Sequence, residues 1–112
     1  MTSDITLAAV LEAIRPGTRS FPVSIAEIQL RTLLSQRAVK DAVRTLRERQ
    51  EPIGAGRGKS NGYFLIRSVE DAELATRPLW LQAISELRTI RQMLGPHRYR
   101  EIAGQMLLEV ER

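Results

Sequence analysis

The chain has no cysteine and a single histidine, and these absences exclude several kinds of chemistry. Without cysteine there is neither a disulfide framework nor a thiolate metal site, and one imidazole cannot form a cluster of histidine ligands. His97 follows Gly95 and Pro96, a context typical of a surface loop, and no catalytic triad can be assembled around it. We therefore expect no enzymatic activity, no cofactor, no metal and no small-molecule ligand.

Long hydrophobic runs are also missing, and the first residues lack a basic segment followed by an apolar one. A membrane span and a secretory signal both require such runs. We therefore expect no membrane association and a location in the cytoplasm, at the nucleoid. The 112 residues, 43% of them hydrophobic, are enough for one small domain with an appendage.

Positive charge is concentrated in one part of the chain. Between Arg31 and Arg67 nine lysines and arginines face three acidic residues, a balance of +6, whereas the whole chain carries +4. The remainder is therefore slightly acidic. A basic excess confined to one block is typical of a surface that binds phosphate groups.

Three helices are predicted in the first half of the chain. Apolar residues at helical spacing predict the first helix from Asp4 to about Arg15, before Pro16 and Gly17. A short extended segment, residues 21–23, is expected to add a third strand to a later hairpin. Ser24 and Glu27 form a capping box that starts the second helix, which ends near Leu30 or Arg31.

The third helix is predicted from Gln36 to about Gln50, with Ser35 as its N-cap and Pro52 closing it. The turn before it, residues 32–34, is expected to pack its leucines between the helices. One side of the third helix is apolar, with Val39, Ala42, Val43 and Leu46. The other side is mostly cationic and comprises Gln36, Arg37, Lys40, Asp41, Arg44, Arg47 and Glu48. Such a helix suits the major groove of DNA, but it is also compatible with an ordinary solvated face on which Arg44 pairs with Asp41 or Glu48.

A hairpin follows the third helix. Ile53 starts a strand, residues 54–62 form a nine-residue glycine-rich loop, and residues 63–66 form the return strand. The loop lacks the first glycine of a phosphate-binding P-loop, since Ile53 stands there, and no helix follows it. The loop is expected to reach DNA through Arg57 and Lys59, the alternative being a disordered basic loop.

The last third of the chain is predicted to be helical. Ser68 caps a short helix to about Ala75, whose acidic first turn, Glu70, Asp71 and Glu73, either compensates the helix dipole or offers a divalent-metal site. A second helix runs from Pro78 to Leu94, and an amphipathic tail helix runs from Tyr99 to Val110. An interface with a second copy or another protein is expected at Trp80, Ile84, Leu87, Arg91, Leu94, Ile102 and Met106. Trp80 has the alternative of anchoring the core.

Several motifs together resemble the small winged helix-turn-helix proteins common in phages and their bacterial hosts. These are the Ser24–Glu27 cap, the helix after Ser35, the Pro52-Ile53 step, the glycine-rich loop and the Gly62-Tyr63 return. The resemblance covers about residues 5–67 and implies DNA binding in transcriptional control, or an accessory role in replication and recombination. By position it assigns DNA contacts to Gln36, Arg37, Lys40, Arg44, Arg57 and Lys59.

The expected fold is therefore mostly α, an α+β winged helix-turn-helix with a three-helix core and a small antiparallel β-wing, followed by C-terminal helices. Residues 1–67 form the DNA-binding domain and residues 68–112 the helical tail. We expect non-catalytic binding of double-stranded DNA, as a homodimer, through Ser35, Gln36, Arg37, Lys40, Arg44, Arg47, Arg57, Lys59 and Asn61. The alternative is a winged-helix adaptor that binds an acidic protein partner.

Overall fold

The computed structural model describes residues 2–56 and 61–112 and shows three helices, a two-stranded antiparallel sheet and two further helices. The elements are α1 (Asp4–Ile14), α2 (Ile25–Thr32), α3 (Gln36–Glu48), β1 (Ile53–Gly56), β2 (Gly62–Leu65), α4 (Val69–Leu94) and α5 (Pro96–Val110). This confirms the predicted mostly α class with a three-helix core, a small hairpin and C-terminal helices. The chain divides into two compact units, residues 1–76 and 77–112.

Serine hydroxyls start the first three helices. Ser3, Ser24 and Ser35 each have extended backbone and accept a hydrogen bond from the amide three residues ahead, at 3.1 to 3.2 Å. These bonds satisfy amides that have no partner within the helix, so the predicted caps at Ser24 and Ser35 are confirmed. The reciprocal half of the predicted capping box is not formed in the described part of the chain, because the Glu27 carboxylate pairs with the Arg31 guanidinium at 2.9 Å, one turn further along α2.

The hydrophobic core lies entirely in the first unit. It comprises Leu7, Val10, Ala13, Ile14, Val23, Ile28, Val39, Ala42, Val43, Leu46, Ile53 and Phe64, none of which is more than 7% exposed. The apolar stripe predicted on α3 is buried in full, whereas α2 contributes only Ile28 as a fully buried side chain. Burial of α3 against α1, α2 and β1 therefore fixes which side of this helix faces solvent.

The first strand of the hairpin starts at Ile53 as predicted but is longer than the sequence suggested, so the prediction of a nine-residue loop from Gly54 is wrong. Residues 54–56 belong to β1, where Gly54 pairs with Phe64, so only residues 57–61 connect the strands. Glycine is required in the strand because a Cβ on Gly54 would lie 2.5 Å from the buried Phe64 ring. The predicted third strand is present as a single bridge between Val23 and Tyr63.

Three further expectations from the sequence are corrected. His97 does not lie in a surface loop, because α5 begins at Pro96 and includes His97 in its first turn. Leu33 does not pack between α2 and α3, because the turn places it in the left-handed region, φ 60°, with 90% of its surface exposed. Leu34 does pack against the core.

Pro78 does not separate two helices, since α4 continues through it. Proline removes one amide donor, and the strong helix formers around it, such as Ala75 and Gln82, sustain the neighbouring turns.

None of the helices in the described residues is at once long enough and apolar enough to cross a bilayer.

A cationic helix face as the candidate nucleic-acid interface

Three cations project from the solvent side of α3. A helix turns by about 100° per residue, so Arg37, Lys40 and Arg44 fall within an arc of about 60°, on the side away from the buried Val39 and Val43. All three cations are exposed. The sequence prediction that these side chains share one face is therefore confirmed, and the face is fixed because the opposite side of α3 is in the core.

These three cations differ in their partners. Arg44 donates to the Asp41 carboxylate at 3.1 Å, and 72% of the Arg44 side chain is exposed, as expected for a solvated ion pair. In residues 2–56 and 61–112, Arg37 and Lys40 have neither a hydrogen bond nor an ion pair. Two full positive charges on this face are therefore directed to solvent without an internal counter-ion.

Arg47, predicted to touch DNA, also contacts the hairpin. Its Nε donates to the Ile53 carbonyl at 3.0 Å, and its guanidinium lies over the Tyr63 ring at 5.9 Å from the centroid. These contacts join the C-terminal end of α3 to both strands. The cationic face of α3 therefore continues directly onto the hairpin.

A hollow at the start of α1 is bordered by Arg44 and Arg49. The Arg49 guanidinium pairs with the Asp4 carboxylate at 2.9 Å, and Asp41 lies near the same hollow at the start of α1. Each arginine bordering that hollow, Arg44 and Arg49, has a carboxylate partner. Within the described residues, the cations of α3 without a carboxylate partner are therefore Arg37, Lys40 and Arg47.

The structure describes three of the five remaining predicted contact residues. The Ser35 hydroxyl is engaged as the N-cap of α3, and Gln36 is exposed in the first turn. Asn61 is exposed immediately before β2. Arg57 and Lys59 lie outside the described residues.

The base of the hairpin is held to the body where Gly62 packs so closely on Val23 that a Cβ would lie 2.3 Å from the Val23 carbonyl oxygen.

Sequence reasoning missed a cluster that fastens the end of the hairpin to α1. The Arg67 guanidinium donates to the Gly17 carbonyl at 2.7 Å and also to the Arg15 carbonyl. Asp71 accepts from Arg19 Nε at 3.2 Å and from the Arg67 amide. The carboxylate of Asp71 thus pairs with a cation as well as lying in the first turn of α4. These contacts join residues about 50 positions apart, so they are visible only in the folded structure.

The second unit presents apolar surface. An apolar groove of about 70 Å³ lies between α4 and α5 and is lined by Leu87, Ile90, Leu94, Tyr99, Ile102, Ala103 and Met106. Four of the predicted interface residues, Leu87, Leu94, Ile102 and Met106, are among them. Trp80 is 65% exposed and Ile84 40% exposed, and Arg91 is also exposed. Neither α4 nor α5 contains a buried residue.

Comparison of the chain with protein-family models, with curated proteins and with solved structures finds no match.

Proposed function

We propose that the protein binds double-stranded DNA through α3 and the hairpin, as a winged helix-turn-helix without catalytic activity. The observation that carries the proposal is the exposed cationic face of α3, on which Arg37 and Lys40 have no internal counter-ion within the described residues. An α-helix fits the major groove of B-DNA, where cations along one face meet phosphate oxygens and base edges.

The energetics of the face favour a polyanionic partner. Arg37 and Lys40 give up no existing ion pair on binding a phosphate, so the attraction is opposed only by the loss of hydration and of side-chain freedom. Arg44 exchanges Asp41 for phosphate at small cost, because an exposed ion pair contributes at most about 1 kcal/mol. Guanidinium groups at these positions also match the O6 and N7 atoms of guanine.

The order of elements supports the same proposal. Three helices followed by an antiparallel hairpin place a β-ribbon beside the C-terminal half of α3, where Arg47 joins the two elements. In the proposed complex α3 lies in the major groove and the hairpin lies alongside. Arg57 and Lys59, which are outside the described residues, are expected to contact the neighbouring backbone or minor groove. The C-terminal helices dimerise the protein, so that two modules contact two half-sites. The resulting role is transcriptional regulation, or an accessory role in replication or recombination.

The test is the salt dependence of binding to a random-sequence duplex. Log affinity falls linearly with log salt concentration, by a slope of about 0.9 for each neutralised phosphate. Replacing Arg37 or Lys40 singly by alanine is expected to weaken binding and to reduce the slope by about 1. Arg15→Ala is the matched control, because it removes one exposed cation from the end of α1, where Glu12 pairs with it.

An unchanged slope in both α3 variants, or an equal loss in Arg15→Ala, would contradict the proposal. In that case the alternative is favoured, in which the winged-helix module is an adaptor and the same cations meet an acidic protein. The adaptor is expected to bind duplex DNA weakly or not at all.

A further inference from the structure

One side of α5 is not used by the groove that this helix forms with α4. Arg100, Gly104, Leu107 and Glu111 follow one another at intervals of four, three and four residues, so they lie along a single stripe of the helix and its C-cap. Arg100 and Glu111 are exposed, and Leu107 is 55% exposed. The groove residues Tyr99 and Met106 lie on a different side of α5.

The order of chemical types along this stripe is self-complementary. When two α5 helices run antiparallel with residue 100 opposite residue 111, residue 104 is opposite residue 107. Arg100 then faces the partner's Glu111, and Gly104 faces the partner's Leu107. The two-fold symmetry repeats both pairs, which is the condition for an isologous dimer.

No contact within the described residues explains why position 104 is a glycine. Glycine is a poor helix former, and a Cβ added at this position would meet no atom within 4 Å. The intrachain structure therefore leaves room for any side chain here. Close approach of a second helix accounts for the glycine, since its bare backbone accepts a leucine side chain from the partner.

The charges at the two ends of the stripe are available for pairing. Neighbouring polar and charged side chains on or next to α5 have local partners, the His97 imidazole with the Glu101 carboxylate at 3.2 Å and Arg112 with Glu109 at 3.6 Å. Arg100 and Glu111 have no ion pair or side-chain hydrogen bond within the described parts of the chain. The partner's opposite charges satisfy them.

We propose that α5 pairs antiparallel with α5 of a second copy through this stripe, with the two-fold axis passing between residues 105 and 106. This rests on the dimerisation assigned above to the C-terminal helices, and it does not require DNA binding. The second unit has only 36 residues and none of its α4 or α5 side chains is buried, which is too little for an independent core.

The absence of cysteine allows a direct test of the register in the full-length chain. Arg100→Cys and Glu111→Cys proteins are prepared separately, mixed and oxidised mildly. The mixture is expected to form a disulfide-linked heterodimer. Each variant alone is expected to crosslink poorly, because the two copies of one position lie about 16 Å apart along the helices, beyond disulfide reach. Arg98→Cys mixed with Glu111→Cys is the matched control, since residue 98 lies on another side of α5.

The second test exchanges the charges at the ends of the stripe and replaces Gly104. The dimer dissociation constant of each full-length variant is measured by sedimentation equilibrium. Arg100→Glu or Glu111→Arg alone is expected to raise the dimer dissociation constant by about tenfold, and the two changes together are expected to restore it. Gly104→Ala is expected to weaken the dimer, although alanine favours an isolated helix. A protein that is monomeric at all concentrations, a Gly104→Ala dimer that is tighter than wild type, or equal crosslinking in the Arg98→Cys control overturns the proposal.

The two proposals fail separately. Lys40→Ala is expected to dimerise normally while it binds DNA weakly. If the α5 pairing is lost, each copy is still expected to bind a single half-site. The slope of log affinity against log salt concentration is then that of one DNA-binding unit. A dimer that does not bind DNA therefore contradicts only the DNA-binding proposal, and a monomer that binds DNA contradicts only the pairing of α5.

Discussion

The arginines of α3 have the same charge and different surroundings. Arg37 projects into solvent, Arg44 makes an exposed ion pair with Asp41, and Arg47 bonds to the Ile53 carbonyl and covers Tyr63. Helical spacing predicted that these side chains share a face, because spacing depends only on the local geometry of the helix. It did not predict the contacts of Arg47, because these depend on where the hairpin packs.

Arg47→Ala is expected mainly to lower stability, whereas Arg44→Ala is expected mainly to weaken DNA binding. Arg47→Ala removes a hydrogen bond to the backbone and a cation–π contact, so the free energy of unfolding should fall by about 1 to 2 kcal/mol. Arg44→Ala removes only an exposed ion pair and should change stability by less than about 1 kcal/mol, while it weakens DNA binding. Urea denaturation and duplex titration of both variants check this. Equal destabilisation by the two substitutions would show that the Arg47 contacts contribute little.

At the scale of elements, α3 is specified by its own sequence. Ser35 caps it, the alternation of apolar and charged residues matches the helical period, and the structure places its start at the predicted residue. The hairpin was less predictable because Gly54 and Gly56 are typical of loops, whereas in β1 they pair with Phe64 and Gly62 of the distant second strand. The helix around Pro78 was mispredicted for a related reason, since a local break signal was outweighed by the turns on both sides.

Two substitutions at Ser35 distinguish its role as the N-cap of α3 from a direct contact with DNA. Ser35→Ala should lower the free energy of unfolding by about 1 kcal/mol, since the Ala38 amide loses its acceptor. Ser35→Asp keeps a capping acceptor and should retain stability, but its negative charge should weaken DNA binding at low salt. Thermal unfolding and salt-dependent titration distinguish the two. Unchanged DNA affinity in Ser35→Asp would place the start of α3 away from the phosphates.

At the scale of the whole molecule, the two units differ in how they obtain stability. Every buried core residue lies between Leu7 and Phe64, so the first unit contains its own core. The Arg67 and Asp71 contacts close this unit at the first turn of α4. The second unit exposes its apolar side chains and depends on association, which is the physical reason for its proposed role as a dimerisation element.

A fragment comprising residues 1–76 is expected to fold cooperatively as a monomer. It should bind duplex DNA more weakly than the full chain and with about half its salt slope, because it contacts one half-site. Circular dichroism, sedimentation and duplex titration check these properties. Full-length Arg100→Glu is the matched control and should approach the fragment in DNA affinity. A fragment that binds as tightly as the full chain would contradict a contribution from dimerisation.

The sequence by itself determined the first three helices, the serine caps of α2 and α3, the buried stripe of α3 and the cationic face opposite it, because these follow from local hydrogen bonding and from the periodicity of apolar residues. The tertiary structure alone decided the extent of β1, the exposure of Leu33, the attachment of Arg47 to the hairpin and the Arg67–Asp71 cluster. Each of these depends on atoms that are distant in sequence, and their proximity is created only when the core packs.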